Sequence, residues 1–561
     1  MSRKVLILGA GKIGRGFLAD VFESDNNLIF ADANEDLVAK LNNAGKYTLL
    51  SIGQEQTSKE ISGFTAYHIG DERLIKISDD ISLMAIAVFP DAFDSVADFI
   101  TTIIRHRMAI GITEPLNCIV CANILHPVQK LKGLMDERLN GGEKTYVDAC
   151  IGFIESIVLR MAINPTPEML VLDPLVVATN GYPELPLDGT AVKGERPVNE
   201  KIVYTENIQA EECRKLYTYN MVHCLFAYLG VMKGYKTVYE CTTDTGLRND
   251  CIGALGEVST AMIKEFGFSQ ESMDKWNDRL MQNMANSYLN DELERVGASP
   301  IRKLARNDRL TGAMLLCREN GILPYYLAKA IAAGFIYNNT ADEQAVIIQK
   351  SIKQVGFKAA VIKYCGLDKE PELVDLIYRQ FLKLSDGDLA EDTEYVALLS
   401  KAYSTGFSYE LKFRGCAQCT IAAMSELTNK DRSELFQAAS GLSGGMALCG
   451  DGCCGGYNGG ILFMSSFVGR RLDRIPIDGD KTAQYTSFDM AQKLHDRFIE
   501  VYGSVICRDL HKKIFGQSYC LRTKEVRNAF EEAGAHKDKC TSVIASACSW
   551  TIEIMREQKL I

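Results

Sequence analysis

A glycine pattern near the start constrains this fold more than any other feature of the chain. Val5-Leu-Ile-Leu is a short apolar run, Gly9-Ala-Gly11-Lys12-Ile13-Gly14 follows at once, and Phe17 to Val21 begins a helical pattern. A lone GxGxxG is weak evidence. With a strand before it, a helix after it and an acid about 20 residues on, it marks a dinucleotide-binding βαβ unit. Here the next apolar run, Leu28-Ile-Phe-Ala, leads into Asp32. The glycines let the backbone turn tightly and approach a pyrophosphate resting on the helix amino terminus. Asp32 would accept hydrogen bonds from ribose hydroxyls and repel a 2′-phosphate, which predicts NAD over NADP. Lys12 and Ile13 lie within the loop and belong to the same expected cofactor site. Arg15, a cation beside the loop, pulls toward NADP instead.

Two further apolar runs, Leu83 to Val88 and Leu116 to Cys121, are separated by helical stretches. Runs of this kind suit a parallel sheet buried on both faces. The second leads into Asn123, at the carboxyl end of a strand, where α/β folds bind ligands. An asparagine there is more often a loop cap than a catalyst, and His126 reads as structural.

Downstream, Lys215-Leu-Tyr-Thr-Tyr-Asn220-Met-Val-His223 falls in a predicted helix. At about 100° per residue, Asn220 lies about 140° and His223 about 80° from Lys215, so all three fit one broad face. Lysine, amide and imidazole are the parts an alcohol–ketone oxidoreductase needs: a base for the hydroxyl proton, a donor to the oxyanion and a grip on a substrate hydroxyl. The bland alternative for a lysine is a solvated surface position.

The chain has 561 residues, 47% hydrophobic and 24% charged, enough for several cores. A net charge of −10 argues against nucleic acid as a partner. No apolar stretch approaches the roughly 18 residues needed to span a bilayer, and the first residues read as a strand rather than a signal peptide. Eighteen cysteines without an export signal point to a reducing, cytoplasmic setting. Nine of them lie beyond residue 390, and the change in density coincides with the acidic stretch Ser385-Asp-Gly-Asp-Leu-Ala-Glu-Asp-Thr, read as a linker. The expected organisation is an α/β Rossmann domain over 1–195, a mostly α-helical substrate domain over 196–384 and an α-helical cysteine-rich domain over 391–561.

Four segments together carry a family resemblance: the Gly9 loop, Pro115-Leu-Asn-Cys-Ile-Val-Cys-Ala-Asn123, Lys215-x4-Asn220-x2-His223, and Glu294-Arg-Val-Gly-Ala-Ser-Pro-Ile-Arg302-Lys303-Leu. From residue 1 to about 383 the chain resembles the polyol-specific long-chain dehydrogenases. The resemblance implies metal-independent hydride transfer, with Lys215 as general acid/base, Asn123 and Asn220 as carbonyl-polarising amides and His223 orienting the substrate. Lysine's ordinary pKa is about 10.4, so desolvation and a nearby nicotinamide cation are expected to lower it. Arg302 and Lys303 match a basic pair that could hold a phosphate or an acid, or simply cap a helix. One departure stands out. The family commonly has Asp-Arg where this chain has Leu159-Arg160, and Glu155, one helical turn earlier, is the acid that could reach the same space at i, i+4 spacing. The implied substrates are a sugar-alcohol phosphate and its ketose phosphate, with a hexuronate as the alternative. Whether the chain is a monomer or a dimer is left open.

The last segment has its own pattern: Gly415-Cys416-Ala-Gln-Cys419, then Gly444-Gly-Met-Ala-Leu-Cys449, then Gly452-Cys453-Cys454-Gly-Gly. It resembles small cysteine-rich redox proteins that share a Gly-Cys-Ala start. Three readings compete: a thiol–disulfide couple at Cys416 and Cys419, an iron–sulfur or zinc site drawing on Cys416, Cys419, Cys449, Cys453 and Cys454, or inert buried thiols. On the second and first readings this segment, rather than the front, could be the working end of an electron-transfer protein.

Overall fold

The computed structural model describes residues 3–24, 26–53, 56–122, 124, 126–289, 291–475 and 481–561. Compactness divides the chain into two units, Met1–Lys215 with Asn286–Leu289, and Leu216–Ala285 with Asn290–Ile561.

The first unit is built on six parallel strands: β1 (Arg3–Leu8), β2 (Asn26–Asp32), β3 (Thr65–His68), β4 (Ile81–Ile86), β5 (Leu116–Val120) and β6 (Ile151–Glu155). Their spatial order is β3-β2-β1-β4-β5-β6. Every pairing is parallel. Side chains alternate across the sheet, and both faces are dry. Val5, Ile7, Phe30, Ala85 and Ile119 pack on one face against Phe17 and Phe22 of the first helix. Leu6, Leu8, Met84, Ile86 and Val120 pack on the other against Phe93, Ile100 and Ile104 of helix Phe93–Ala109. The strand order reverses between β1 and β4, so the crevice opens at the carboxyl end of β1, where the glycine loop sits. A separate sheet joins the hairpin Lys46–Ile52/Gln56–Ser62 to Val177–Thr179 and Ala162–Ile163.

The second unit is helical. Helix Met221–Met232 forms its centre, because residues on every side of it from Met221 to Leu229, His223 excepted, are buried. Helix Tyr325–Ile336 packs on it and in turn against Pro371–Ser385. The acidic segment after Ser385 is pinned rather than loose. The fully buried Lys329 amine donates to Leu389 O at 2.8 Å and pairs with Asp250 at 2.9 Å and Glu391 at 3.1 Å. Beyond it, helix Thr393–Phe413 lies along the last helix, Cys540–Glu557. Helix Gly455–Val468 is wedged among its neighbours through glycine: a side chain on Gly459 would meet Ala417 O at 2.7 Å, and one on Gly456 would crowd Ala547 and Ile544. Buried Arg318 bonds Glu372 at 2.7 Å and Asp538 at 2.8 Å, tying the earlier helices to the later ones. Among the described residues no helix is long and apolar enough to cross a membrane.

Candidate functional site

The cofactor loop is shaped by contacts only glycine permits. Gly9 has φ +94°, and a side chain on Gly14 would sit 1.9 Å from the Gly9 carbonyl oxygen. Gly11, by contrast, faces open space. The helix that follows starts with a π turn, Gly14–Leu18, and continues as Ala19–Phe22. Asp32 ends β2 and draws the loop toward itself, accepting from Ala10 N–H at 2.7 Å and Asn34 N–H at 2.8 Å. Close approach at Gly11, a helix amino terminus and a carboxylate at the end of β2 are what a dinucleotide requires.

Arg15 does not face that ligand space. Its guanidinium donates to Ala10 O and Leu175 O and lies over the Tyr47 ring at 5.3 Å. The sequence-level argument that Arg15 pulls toward NADP is therefore corrected: this cation braces the loop from behind. Lys12 reaches Asn164 Oδ1, and Ile13 packs against the core.

Glu155 also departs from expectation. Its suggested helical i, i+4 relation to residue 159 fails, because 151–155 is strand β6 and no helix follows. Leu159 is buried. Arg160 is held by Asp20 at 2.7 Å, Tyr182 O at 2.6 Å and Gly16 O at 3.0 Å, so it is part of the scaffold. Glu155 instead meets Glu212 of helix Ile208–Lys215. Burial first, and then the Glu212 carboxylate, lift its pKa to about 8. Its Oε1 has no hydrogen-bond partner. His126 faces the same pair, with Nδ1 3.6 Å from Glu212. Ligand-type atoms of His126, Glu155 and Glu212 all lie within 4.8 Å of one another. Holding a cation there requires both acids to ionise, which burial and mutual repulsion oppose, so the arrangement suits a proton shared between two carboxyls.

Lys215 closes the helix Ile208–Lys215 and is half-buried; Glu212 precedes it by one turn. The next five residues, Leu216–Asn220, form a π turn before the α-helix resumes at Met221. An i→i+5 turn replaces the 100° step used for the sequence, so the regular α-helical angles expected from 215 to 223 do not hold through it. π turns of this kind are frequent at functional sites. Within the second unit, His223 Nε2 lies 3.4 Å from Asp291. Burial opposes the Asp291 charge, but His223 and Arg295 more than offset it and hold its pKa low.

Arg302 and Lys303 do not act as one clamp. They sit on a single short turn, Pro300–Lys303, and face different surroundings. The Arg302 guanidinium is exposed, 3.8 Å from Asp308. The Lys303 amine is buried, donates to Val296 O, and its pKa falls to about 8 through desolvation. Asn123 lies outside the described residues.

In the cysteine-rich segment a cavity of about 470 Å³ opens among the helices. Cys416 and Cys454 line it, as expected candidates. Cys507 and Cys540 line it too, although sequence spacing passed them over. Cys419 is turned away toward Arg414 O at 3.1 Å and Tyr409 O at 3.5 Å, and Cys449 toward Ala447 O. Cys453 is not on the wall. At Cys416 and Cys419 burial opposes the helix amino terminus in setting the thiol pKa. It pushes Cys416 up to about 11, and burial with Glu410 beside it raises Cys419 further.

Comparison with known proteins bears on all three segments. The mannitol dehydrogenase Rossmann domain matches residues 3–201, and the mannitol dehydrogenase C-terminal domain matches 207–383. Residues 415–554 match a family described as "Putative redox-active protein (C_GCAxxG_C_C)". Among solved structures, a substrate-free D-sorbitol dehydrogenase is 12% identical with TM-score 0.59, the match covering 69% of this chain and 94% of that one. A Pseudomonas fluorescens mannitol 2-dehydrogenase in ternary complex with NAD and D-mannitol is 15% identical with TM-score 0.52, covering 69% and 93%. At these identities the two structures speak for the fold.

Proposed function

Because this chain belongs to the mannitol dehydrogenase family through residues 3–383, we propose that it interconverts a sugar-alcohol phosphate and its ketose phosphate with NAD, mannitol 1-phosphate and fructose 6-phosphate first. That activity would make it a mannitol-1-phosphate 5-dehydrogenase. The observation that carries the reading is the helix at 208–232, where Lys215 precedes a π turn behind a complete dinucleotide-binding loop.

NAD, when bound, supplies the hydride acceptor. The protein's work is with the proton and the charge. Lys215 takes the hydroxyl proton as the carbon is oxidised, a role worth about 10²- to 10⁴-fold. The side-chain amides of Asn123 and Asn220 donate to the oxygen as negative charge develops. His223, steadied by Asp291, orients a neighbouring hydroxyl. Glu155 and Glu212 hold one proton between them a helical turn from Lys215, so the proton taken from substrate has an acid pair to reach.

The exposed guanidinium of Arg302 supports an anionic substrate, and it serves a carboxylate as well as a phosphate. A hexuronate is therefore the second reading. Turnover of polyol phosphates, free polyols and hexuronates, followed by NADH absorbance, ranks them. Lys215→Ala should abolish turnover of the best substrate while NADH binding persists. Unchanged turnover would refute the mechanism.

A further inference from the structure

Three helices start at the wall of the cavity in the cysteine-rich segment, and each brings a cysteine there: Cys416 begins Cys416–Thr428, Cys454 caps Gly455–Val468 and Cys507 begins Cys507–Phe515. A fourth, Cys540, reaches the same wall from the point where the π turn Ala535–Lys539 passes into helix Cys540–Glu557. The four positions come from 125 residues of sequence, yet all four line the one cavity. We infer that Cys416, Cys454, Cys507 and Cys540 ligate an iron–sulfur cluster in this cavity. The inference rests on reading residues 415–554 as a redox segment, and is independent of the substrate of the dehydrogenase half.

The electrostatics select an anion. A helix amino terminus carries roughly half a positive charge, and three converge here. Lys524 and Arg527 add full charges to the wall. The two acids on the wall are balanced: Glu531 pairs with Arg414 at 3.0 Å, and Glu410 lies 3.5 Å from His536. A cluster held by four thiolates is such an anion. The sulfurs are also met by donors of the kind that tune clusters. Cys416 accepts from the N–H groups of Gly444 and Gly455 and from the Ser443 hydroxyl, and Cys454 accepts from Gly456 and Tyr457 N–H.

Spacing separates a cluster from a single zinc ion. Tetrahedral zinc at about 2.3 Å from each sulfur holds the four thiolates within about 4 Å of one another. Among the described residues no three of these sulfurs lie within 4.8 Å of one another. Irons and sulfides interposed between the thiolates keep them further apart. A buried imidazole adds a second indication of a ligand. His511 is 3% exposed, its Nε2 is 3.5 Å from Cys507 Sγ, and its Nδ1 has no hydrogen-bond partner.

Local backbone supports a built site. Gly444, Gly445, Met446, Ala447 and Leu448 all have positive φ, a full left-handed stretch. The stretch delivers Gly444 N–H to the Cys416 sulfur. Strain retained at one wall of a cavity is a mark of function.

The test is anaerobic reconstitution of the full-length chain with ferrous iron and sulfide. Retained iron, acid-labile sulfide and visible absorption are read before and after dithionite. The expected result is iron and sulfide in equal amounts with absorption that dithionite bleaches. Cys507→Ser, Cys507→Ala and Cys540→Ser should each lower iron retention about tenfold or more, while Cys449→Ser and Cys453→Ser leave it unchanged. Far-UV circular dichroism on every variant separates lost ligands from lost folding. Retained zinc with no visible band would overturn the cluster. A reversible disulfide within the four, with no iron bound, would overturn the cluster but keep the redox reading. Neither iron nor disulfide would overturn both.

Discussion

Glu155→Gln should change how stability depends on pH. Burial and the neighbouring Glu212 raise the Glu155 pKa from 4.5 to about 8. The folded chain therefore holds this proton where the unfolded chain has released it. The associated stability is fully present below about pH 4.5 and declines through the window between, until it is gone above about 8. One such proton gives a slope of about −1.4 kcal/mol per pH unit, and the whole window amounts to up to about 5 kcal/mol. Glutamine keeps the shape and stays neutral, so the variant lacks this slope and exceeds the parent in stability at alkaline pH. For a unit of this size about 1 kcal/mol moves Tm by roughly 2–4 °C. Calorimetry of both proteins between pH 5 and 8.5 should show their melting temperatures diverging by several degrees. If the two curves run parallel, Glu155 is ionised in the fold and the shared-proton arrangement with Glu212 is wrong.

Three other outcomes follow from the same coordinates. Gly14→Ala places a methyl carbon on the Gly9 carbonyl, a backbone clash no rotamer can relieve. NADH affinity by fluorescence titration should fall about tenfold or more (about 1.4 kcal/mol), with helical content intact. Asp32→Asn keeps an acceptor for one of the two backbone N–H groups, Ala10 or Asn34, but removes the charge facing the ribose, so the ratio of kcat/KM for NAD over NADP should drop about tenfold. Lys329→Met strips the amine from between Asp250 and Glu391 and leaves the buried Asp250 carboxylate without its ion pair, while Glu391 keeps Lys383 at 2.8 Å. Thermal unfolding should report a loss of about 3–5 kcal/mol, partly recovered when Asp250→Asn is added.

Features set by local physics were legible in the sequence. The strand, glycine loop, helix and Asp32 could be read directly, because a turn needing Gly9 at positive φ is a demand on single residues. Lys215, Asn220 and His223 could be placed on one helix, but the π turn between them could not, since it depends on packing rather than on the sequence of five residues. Glu155 was recognised as an acid of interest, yet its partner Glu212 is brought to it only by the sheet edge meeting a distant helix. Arg302 and Lys303 are adjacent in sequence, and the helical twist sends them to different environments. The cysteines show the same division. Nearness along the chain favoured Cys419, Cys449 and Cys453, whereas the cavity wall takes Cys507 and Cys540, which only the packing of distant helices brings there.

Lys329 also determines how this chain can be divided. Its ammonium is satisfied by groups on both sides of residue 385, so a chain stopped at the apparent end of the dehydrogenase half would leave this buried cation with Asp250 alone, stripped of the Leu389 carbonyl and of Glu391. The segment after Ser385 therefore belongs to the core that holds Lys329. Any attempt to express the front alone, or to exchange the tail for another, must carry residues 386–392 along with it.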